Sequence, residues 1–258
     1  MKITLVQSDI AWENKKANFN NYEILLEKME GKTDIIVLPE MFNTGFSMNS
    51  AMMAEDMKGE TLGWMRKLSE RGNYGMIGSF IVSENAKFFN RLVFMKPDGT
   101  FSFYDKGHLF RMEKENRFYT RGHKTVIDSF RGWRFSLQIC YDLRFPVWSR
   151  IKNNNYDILV YIANWPASRR TVWNTLLRAR AIENQSYVVG VNRIGKDGND
   201  IDYCGDSVIL DPKGVSIAET EQNREEVLTA EISLDYLETF RKKFPVWKDA
   251  DDFELLSD

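Results

Sequence analysis

The apolar residues of this chain occur mainly in short, unbroken runs, a pattern typical of strands that are buried on both faces. Between these runs lie longer segments with apolar residues at helical spacing, the clearest at 13–29, 60–71 and 170–184. The principal predicted strands cover 3–7, 34–40, 75–82, 125–128, 133–140, 157–163, 187–192 and 206–210. Pro-Asp-Gly at 97–99 and Asp-Pro-Lys-Gly at 211–214 mark hairpin turns. The pattern predicts an α/β fold with mixed sheets and helices packed outside them.

No linker, repeat or low-complexity segment interrupts the 258 residues, so we expect one domain over 1–258. Because 43% of the residues are hydrophobic, the chain can bury a sizeable core. The final segment, 240–258, contains Phe244, Trp247 and Phe253. We predict that this segment is a tail packed either on its own domain or on a partner subunit.

Charge and cysteine content narrow the range of partners and compartments. The chain has 35 basic and 37 acidic residues, so no charge excess indicates a nucleic-acid or anionic-membrane partner. Two cysteines cannot form a disulfide framework and suit a reducing compartment. The first residues lack the pattern of a signal peptide, and no apolar run approaches the roughly 20 residues of a membrane helix. We therefore expect a soluble, cytoplasmic protein.

Three polar residues with chemical potential stand at the ends of predicted strands: Glu40, Lys106 and Cys140. Cys140 lies between WRFSLQI and YDLRFPVW, a strand-to-helix corner where a thiol meets backbone N–H groups and can act as a nucleophile. Only two histidines are available to activate it. A carboxylate such as Glu40 can act instead as the general base, and Lys106 can stabilise an oxyanion.

Each of these residues also has an ordinary structural explanation. Glu40 could cap a helix, Lys106 could be a solvated surface residue, and Cys140 could be a buried structural thiol. His108 could compete as the base for Cys140 or could simply pack nearby. The chain has no Cys-x-x-Cys, glycine-rich phosphate loop or histidine cluster, so we predict no metal or organic cofactor.

The segments LPEMFNTGF, YDKGHLF and QICYDLRFP resemble, in this order, those of the nitrilase-type carbon–nitrogen hydrolases. The similarity extends to ANWP (163–166), RARAIENQSYVVGVNRIG (178–195) and GDSVILDPKG (205–214). This resemblance implies a four-layer α-β-β-α sandwich and at least a homodimer. It also implies that Glu40 is the general base, Lys106 the oxyanion-stabilising cation and Cys140 the nucleophile.

The resemblance implies two further participants in the reaction. The backbone N–H of Tyr141 would complete the oxyanion site, and a second glutamate would hydrogen-bond near the lysine. Glu115 fits its position after HLFR better than Glu113, although Glu115 could equally be an exposed loop charge. The implied reaction releases ammonia, forms a thioester on Cys140 and ends with hydrolysis by water.

Within this family, the chain is most similar to the omega-amidase branch, through KGHLFRM, CYDLRFPVWSR, RARAIENQ and FRKKFPVWKDADDF. That branch hydrolyses the terminal amide of α-keto acid amides such as 2-oxoglutaramate and 2-oxosuccinamate, which yields the dicarboxylate and ammonia. The substrate carboxylate needs a cation and the short chain an aromatic wall. Phe42, Arg144, Trp165 and Arg117 are the candidate substrate-binding residues.

Several alternatives remain open from the sequence. Arg144 could pair with Asp142 or Glu183 instead of the substrate, and Arg117 could be a solvated surface residue. The same catalytic residues would also serve hydrolysis of an N-carbamoyl amino acid, a nitrile or another short aliphatic amide. A non-catalytic scaffold on the same fold is the alternative outside enzymology.

Overall fold

Two six-stranded sheets form the centre of the protein, whose computed structural model describes residues 1–255. The first sheet contains β1 (Lys2–Gln7), β2 (Ile35–Val37), β3 (Gly75–Glu84), β4 (Lys87–Met95), β5 (Phe101–Asp105) and β14 (Glu226–Glu231). Their order is β14-β1-β2-β3-β4-β5. β1, β2 and β3 are parallel, and the other neighbours are antiparallel.

The second sheet has a similar layout. It contains β6 (Val126–Phe130), β7 (Trp133–Ile139), β8 (Ile158–Ala163), β9 (Tyr187–Asn192), β12 (Val208–Leu210) and β13 (Ser216–Glu219). The order is β13-β12-β9-β8-β7-β6, with β7, β8 and β9 parallel. The remaining two strands, β10 (Ile194–Lys196) and β11 (Asp202–Cys204), form a separate antiparallel hairpin.

Helices pack outside both sheets. The helices are α1 (Lys15–Leu26), α2 (Ser50–Met53), α3 (Glu60–Gly72), α4 (Glu115–Phe118), α5 (Pro146–Ser149), α6 (Arg170–Asn184) and α7 (Leu234–Lys243). Phe19 of α1 and Met65 of α3 join a core cluster with one face of the first sheet. Trp173 and Leu177 of α6 join the cluster that includes the second sheet.

Alternation along the strands explains why their apolar runs are unbroken. Ile3 and Leu5 of β1 belong to the core cluster shared by the two sheets, whereas Val6 belongs to the cluster under α1 and α3. The central strands of the first sheet, β1 to β4, thus bury one face against the second sheet and the other against helices. The result is the predicted four-layer α-β-β-α sandwich.

Near the end of the chain lies a helix, α7, that the apolar pattern of the sequence did not predict. α7 packs along its own chain, where the buried Arg241 donates to the carbonyl oxygens of Tyr156 and Gln185 and pairs with Asp157. Beyond it, the ammonium of Lys152 lies 4.1 Å from the ring of Phe253. Residues 240–255 therefore contact their own domain, while 256–258 of the predicted tail lie outside the described residues. No helix within 1–255 is long and apolar enough to cross a membrane.

Candidate active site

The ends of three strands bring Glu40, Lys106 and Cys140 together. Glu40 lies three residues beyond β2, Lys106 follows β5 directly, and Cys140 follows β7 directly. β2 and β5 belong to the first sheet and β7 to the second, so the site lies where the two sheets meet at one end. All three residues are buried, and Glu40 has no exposed surface.

A buried ion cluster surrounds Lys106. Its Nζ lies 2.9 Å from Oε1 of Glu40 and 3.1 Å from Oε1 of Glu115, and none of the three side chains is exposed. Burial alone would lower the pKa of Lys106, but the charges of Glu115 and Glu40 outweigh it and raise that pKa. Burial raises the pKa of Glu115, an effect that the charge of Lys106 opposes. Lys106 is therefore a permanently charged group at this site.

Four hydrogen bonds hold Glu40, three to its carboxylate and one to its backbone carbonyl oxygen. Besides Lys106, Asn90 donates to its Oε1 at 2.7 Å, and the backbone N–H of Asn164 donates to its Oε2 at 2.8 Å. The side-chain amide of Asn164 also donates to the carbonyl oxygen of Glu40. Because these donors come from both sheets, the carboxylate orientation is set by the sandwich itself.

Cys140 has a left-handed backbone, with φ of 45°, which is uncommon for a residue other than glycine. Such strained residues cluster at functional sites. Its Sγ lies 3.9 Å from the carbonyl oxygen of Asn164. Burial, followed by the neighbouring charge of Glu40, raises the pKa of the Cys140 thiol well above its usual range. Burial therefore favours the thiol form, and an attack by this sulfur would require a base.

Asp142 connects the cysteine turn to the lysine loop. This fully buried carboxylate accepts hydrogen bonds from Ile139 N and Tyr104 Oη on one oxygen, and from His108 N and Nδ1 on the other. The His108 ring stacks on Phe145 with 3.8 Å between ring centres. The structure thus places His108 in a packing and hydrogen-bonding position beside Asp142.

A narrow cavity that opens to solvent leads to Cys140. Its wall includes Phe46, Phe110, Tyr141, Trp165 and Tyr203. Lys106 and Asn164 also contribute to the lining. The cavity therefore offers the aromatic surface expected around a short substrate, with the polar cluster at one end.

Arg144 and Trp165, two of the expected substrate-binding residues, both line this cavity. The guanidinium of Arg144 lies 5.4 Å from the centre of the Trp165 ring. The alternative partners of Arg144 are engaged elsewhere: Asp142 with Tyr104 and His108, and Glu183 with Arg180 at 3.1 Å. The cation of Arg144 is therefore directed to the cavity wall rather than to either acid.

The other two expected substrate-binding residues, Phe42 and Arg117, do not line the cavity. The chain turns at Met41, where φ is 44°, and Phe42 enters the core beside Tyr22 and Trp64, with 5.6 Å between ring centres in each pair. Phe46, later in the same segment, lines the cavity instead. Arg117 is exposed on α4 and does not line the cavity.

Other lining residues were not identified from the sequence. They include Met48, Asn164, Arg169 and the residues Asp197, Asn199 and Ile201 of the β10–β11 hairpin. The Asp-Gly pair at 197–198 is a turn signal that could have located this hairpin. Of the two candidate glutamates, Glu115 contacts Lys106, whereas Glu113 lies exposed on the cavity wall. Within residues 1–255, no cluster of three or more histidine, cysteine or acidic side chains is arranged to bind a metal ion.

The sandwich and its site define a hydrolase of amide carbon–nitrogen bonds. Residues 2–242 match the carbon–nitrogen hydrolase family, and the chain belongs to that family. It is 45% identical over 257 residues to the omega-amidase YafV of Escherichia coli (strain K12), covering 99% of this chain and 98% of that protein. It is 32% identical to the 2-oxoglutaramate amidase of Bacillus subtilis (strain 168), covering 96% of each chain.

The fold has a similarly close counterpart among solved structures. XC1258 from Xanthomonas campestris, a CN-hydrolase superfamily protein with an arsenic adduct in its active site, superposes with a TM-score of 0.97. It shares 40% sequence identity, and the superposition covers 99% of this chain and 98% of that one. The expected family and its sandwich fold are confirmed.

Proposed function

We propose that this carbon–nitrogen hydrolase is an omega-amidase that hydrolyses the terminal amide of short α-keto acid amides such as 2-oxoglutaramate and 2-oxosuccinamate. The observation that carries the proposal is the buried Glu40–Lys106–Glu115 ion cluster next to the strained Cys140. The names of the relatives from Escherichia coli and Bacillus subtilis support the substrate class. The products are the corresponding dicarboxylate and ammonia.

In the first half of the proposed reaction, Cys140 is acylated. Glu40 takes the thiol proton as the sulfur forms a bond to the amide carbon. The resulting oxyanion is stabilised by the ammonium of Lys106 and the backbone N–H of Tyr141, which lies at the start of a 3₁₀ turn where N–H groups lack helical partners. Glu40 then gives its proton to the nitrogen, the carbon–nitrogen bond breaks, and ammonia leaves.

In the second half, water hydrolyses the thioester. Glu40 takes a proton from the water as the oxygen attacks the thioester carbon. The carbon–sulfur bond breaks, and the proton returns from Glu40 to the sulfur. Glu115 holds Lys106 in place during both halves, because its buried carboxylate accepts a hydrogen bond from the ammonium at 3.1 Å.

The cavity wall supports an anionic substrate. Arg144 presents a guanidinium at the wall, where no carboxylate of residues 1–255 forms an ion pair with it, and Trp165 provides an aromatic surface next to it. A guanidinium binds a carboxylate through two parallel hydrogen bonds. In the proposed complex, Arg144 binds the carboxylate end of the substrate while the amide lies at Cys140.

Ammonia release from purified protein tests this function. We expect release from 2-oxoglutaramate to exceed that from glutamine, an N-carbamoyl amino acid and a nitrile. Cys140→Ala should reduce it by about 10⁴-fold or more, whereas Cys204→Ala, the matched control at the other buried cysteine, should not. In rapidly quenched samples, the peptide that contains Cys140 should be heavier by the mass of the acyl group, which would identify the thioester. Equal activity of the two alanine variants would exclude Cys140 as the nucleophile.

We also propose that the enzyme works in the cytoplasm as a homodimer or larger homo-oligomer. Both cysteines are free thiols, which suits a reducing compartment. Val147, Ile182 and Phe244 are more than half exposed and offer apolar surface to a partner subunit. Light scattering of the purified protein measures the assembly directly, and a monomeric mass would contradict this part of the proposal.

A further inference from the structure

Three cationic side chains line the cavity within the described part of the chain: Lys106, Arg144 and Arg169. Lys106 is fully buried and already contacts the carboxylates of Glu40 and Glu115. Its charge is therefore committed to the reacting end of the cavity. Recognition of a second, distant substrate charge falls to the two arginines.

Arg169 is held in a defined position at this wall. It ends the 3₁₀ turn Ala167–Arg169 just before α6, and Trp165 Nε1 donates to its carbonyl oxygen at 2.9 Å. Its guanidinium lies 5.1 Å from the centre of the Phe110 ring. Trp165 thus contacts both arginines: the guanidinium of Arg144 lies over the indole ring, and the indole N–H binds the backbone carbonyl of Arg169.

Arg169 forms no ion pair with an acidic side chain of the described residues. Among the described residues, the ion pairs of α6 join Arg170 to Asp206, Arg178 to Glu219 and Arg180 to Glu183, so none of them involves Arg169. Asp197 also lines the cavity, but its carboxylate accepts hydrogen bonds from the backbone of residues 199 and 201 and from Tyr203. The other lining acid, Glu113, is exposed to solvent.

We infer that Arg169 is a specificity-determining residue that binds the α-keto acid end of the substrate together with Arg144. The inference rests on the proposed omega-amidase function and extends it to the choice between substrates. Two guanidinium groups favour a carboxylate beside a keto oxygen, because both oxygens accept N–H donors. They disfavour an α-ammonium group, which would bring a third positive charge to the same wall. Glutamine, with the same terminal amide, is therefore a poor substrate.

The test compares an anionic amide, 2-oxoglutaramate, with a neutral one of similar length, butanamide, and with glutamine. Arg169→Ala should lower kcat/KM for 2-oxoglutaramate by about 10- to 100-fold, mainly through KM, because one charged hydrogen-bond partner is lost. The value for butanamide should stay within about two-fold, since it has no group for the arginine to bind. The preference for 2-oxoglutaramate over glutamine should fall, and Arg169→Lys should restore part of it because the positive charge returns.

Arg170→Gln is the matched control, because it removes one positive charge from the neighbouring residue while keeping a hydrogen-bond donor for Asp206. It should leave all three kcat/KM values within about two-fold, as expected for a charge outside the cavity. If the wild-type protein prefers 2-oxoglutaramate and the Arg169→Ala variant keeps this preference, the proposed role of Arg169 is wrong, while the proposed substrate class stands. Wild-type protein without that preference would overturn both this role and the proposed substrate class. A parallel loss for butanamide would indicate a structural role instead.

Discussion

The Asp142 carboxylate gives the most direct test of how the site is held together. Both oxygens are fully buried and each accepts two hydrogen bonds, at 2.7 to 3.0 Å. Asp142→Asn replaces one oxygen with an NH₂ group, which then faces a backbone N–H, that of Ile139 or that of His108, whichever way the amide is turned. Because a hydrogen bond to a charged group contributes about 1.5–3 kcal/mol and a buried donor without a partner costs about 1–3 kcal/mol, the free energy of unfolding should fall by about 3–5 kcal/mol.

Urea unfolding followed by tryptophan fluorescence measures this loss, since the chain contains seven tryptophans. Asp128→Asn is the control: that carboxylate also accepts hydrogen bonds, from Lys96 and Ser102, but is partly exposed. Its substitution should cost about 1 kcal/mol. Equal losses in the two variants would refute the argument that burial and four donors make Asp142 the stronger contributor.

Two further predictions concern the core and the nucleophile. Phe42→Ala should lower the free energy of unfolding by about 3–5 kcal/mol, because the ring is fully buried among aromatic side chains. Phe46→Ala should instead mainly raise KM, because Phe46 lines the cavity. Urea unfolding and steady-state kinetics distinguish the two effects, and the reverse pattern would contradict the assignment of Phe46 to the cavity. Alkylation of Cys140 by iodoacetamide should be slow at neutral pH and accelerate as the pH rises, because burial and then the charge of Glu40 raise the pKa of the thiol. A fast rate independent of pH between 6 and 8, followed by mass spectrometry, would show a resting thiolate instead.

The three central residues could be located from the sequence because each stands at or just beyond the end of a predicted strand. An unbroken apolar run indicates where a buried strand lies and where it ends, so the polar residue that follows the run stands at the edge of the sheet. Cys140 directly follows β7 and Lys106 directly follows β5. The meeting of these ends depends only on the sandwich, which the family resemblance also implied.

Loop geometry could not be predicted in the same way. Phe42 and Phe46 occur in one short segment, and which of them faces the cavity depends on the left-handed turn at Met41. Nothing in the residue type of a methionine indicates that turn. The β10–β11 hairpin was missed for a related reason, since its strands have only three residues each and little apolar pattern. Arg169 became a candidate only when the fold placed it beside Phe110, far away in the sequence.

In the proposed mechanism, the electrostatics of the ion cluster remove the need for a histidine next to the thiol. Two carboxylates hold Lys106 in its charged form, so the lysine cannot accept a proton. The buried thiol stays protonated, so it cannot attack unaided. In the proposed mechanism only Glu40 remains both close to the sulfur and able to accept its proton, and Glu115 keeps the positive charge beside the developing oxyanion. Under this proposal, the second carboxylate separates two tasks: Glu40 would move protons, while the Lys106–Glu115 pair would supply a fixed charge.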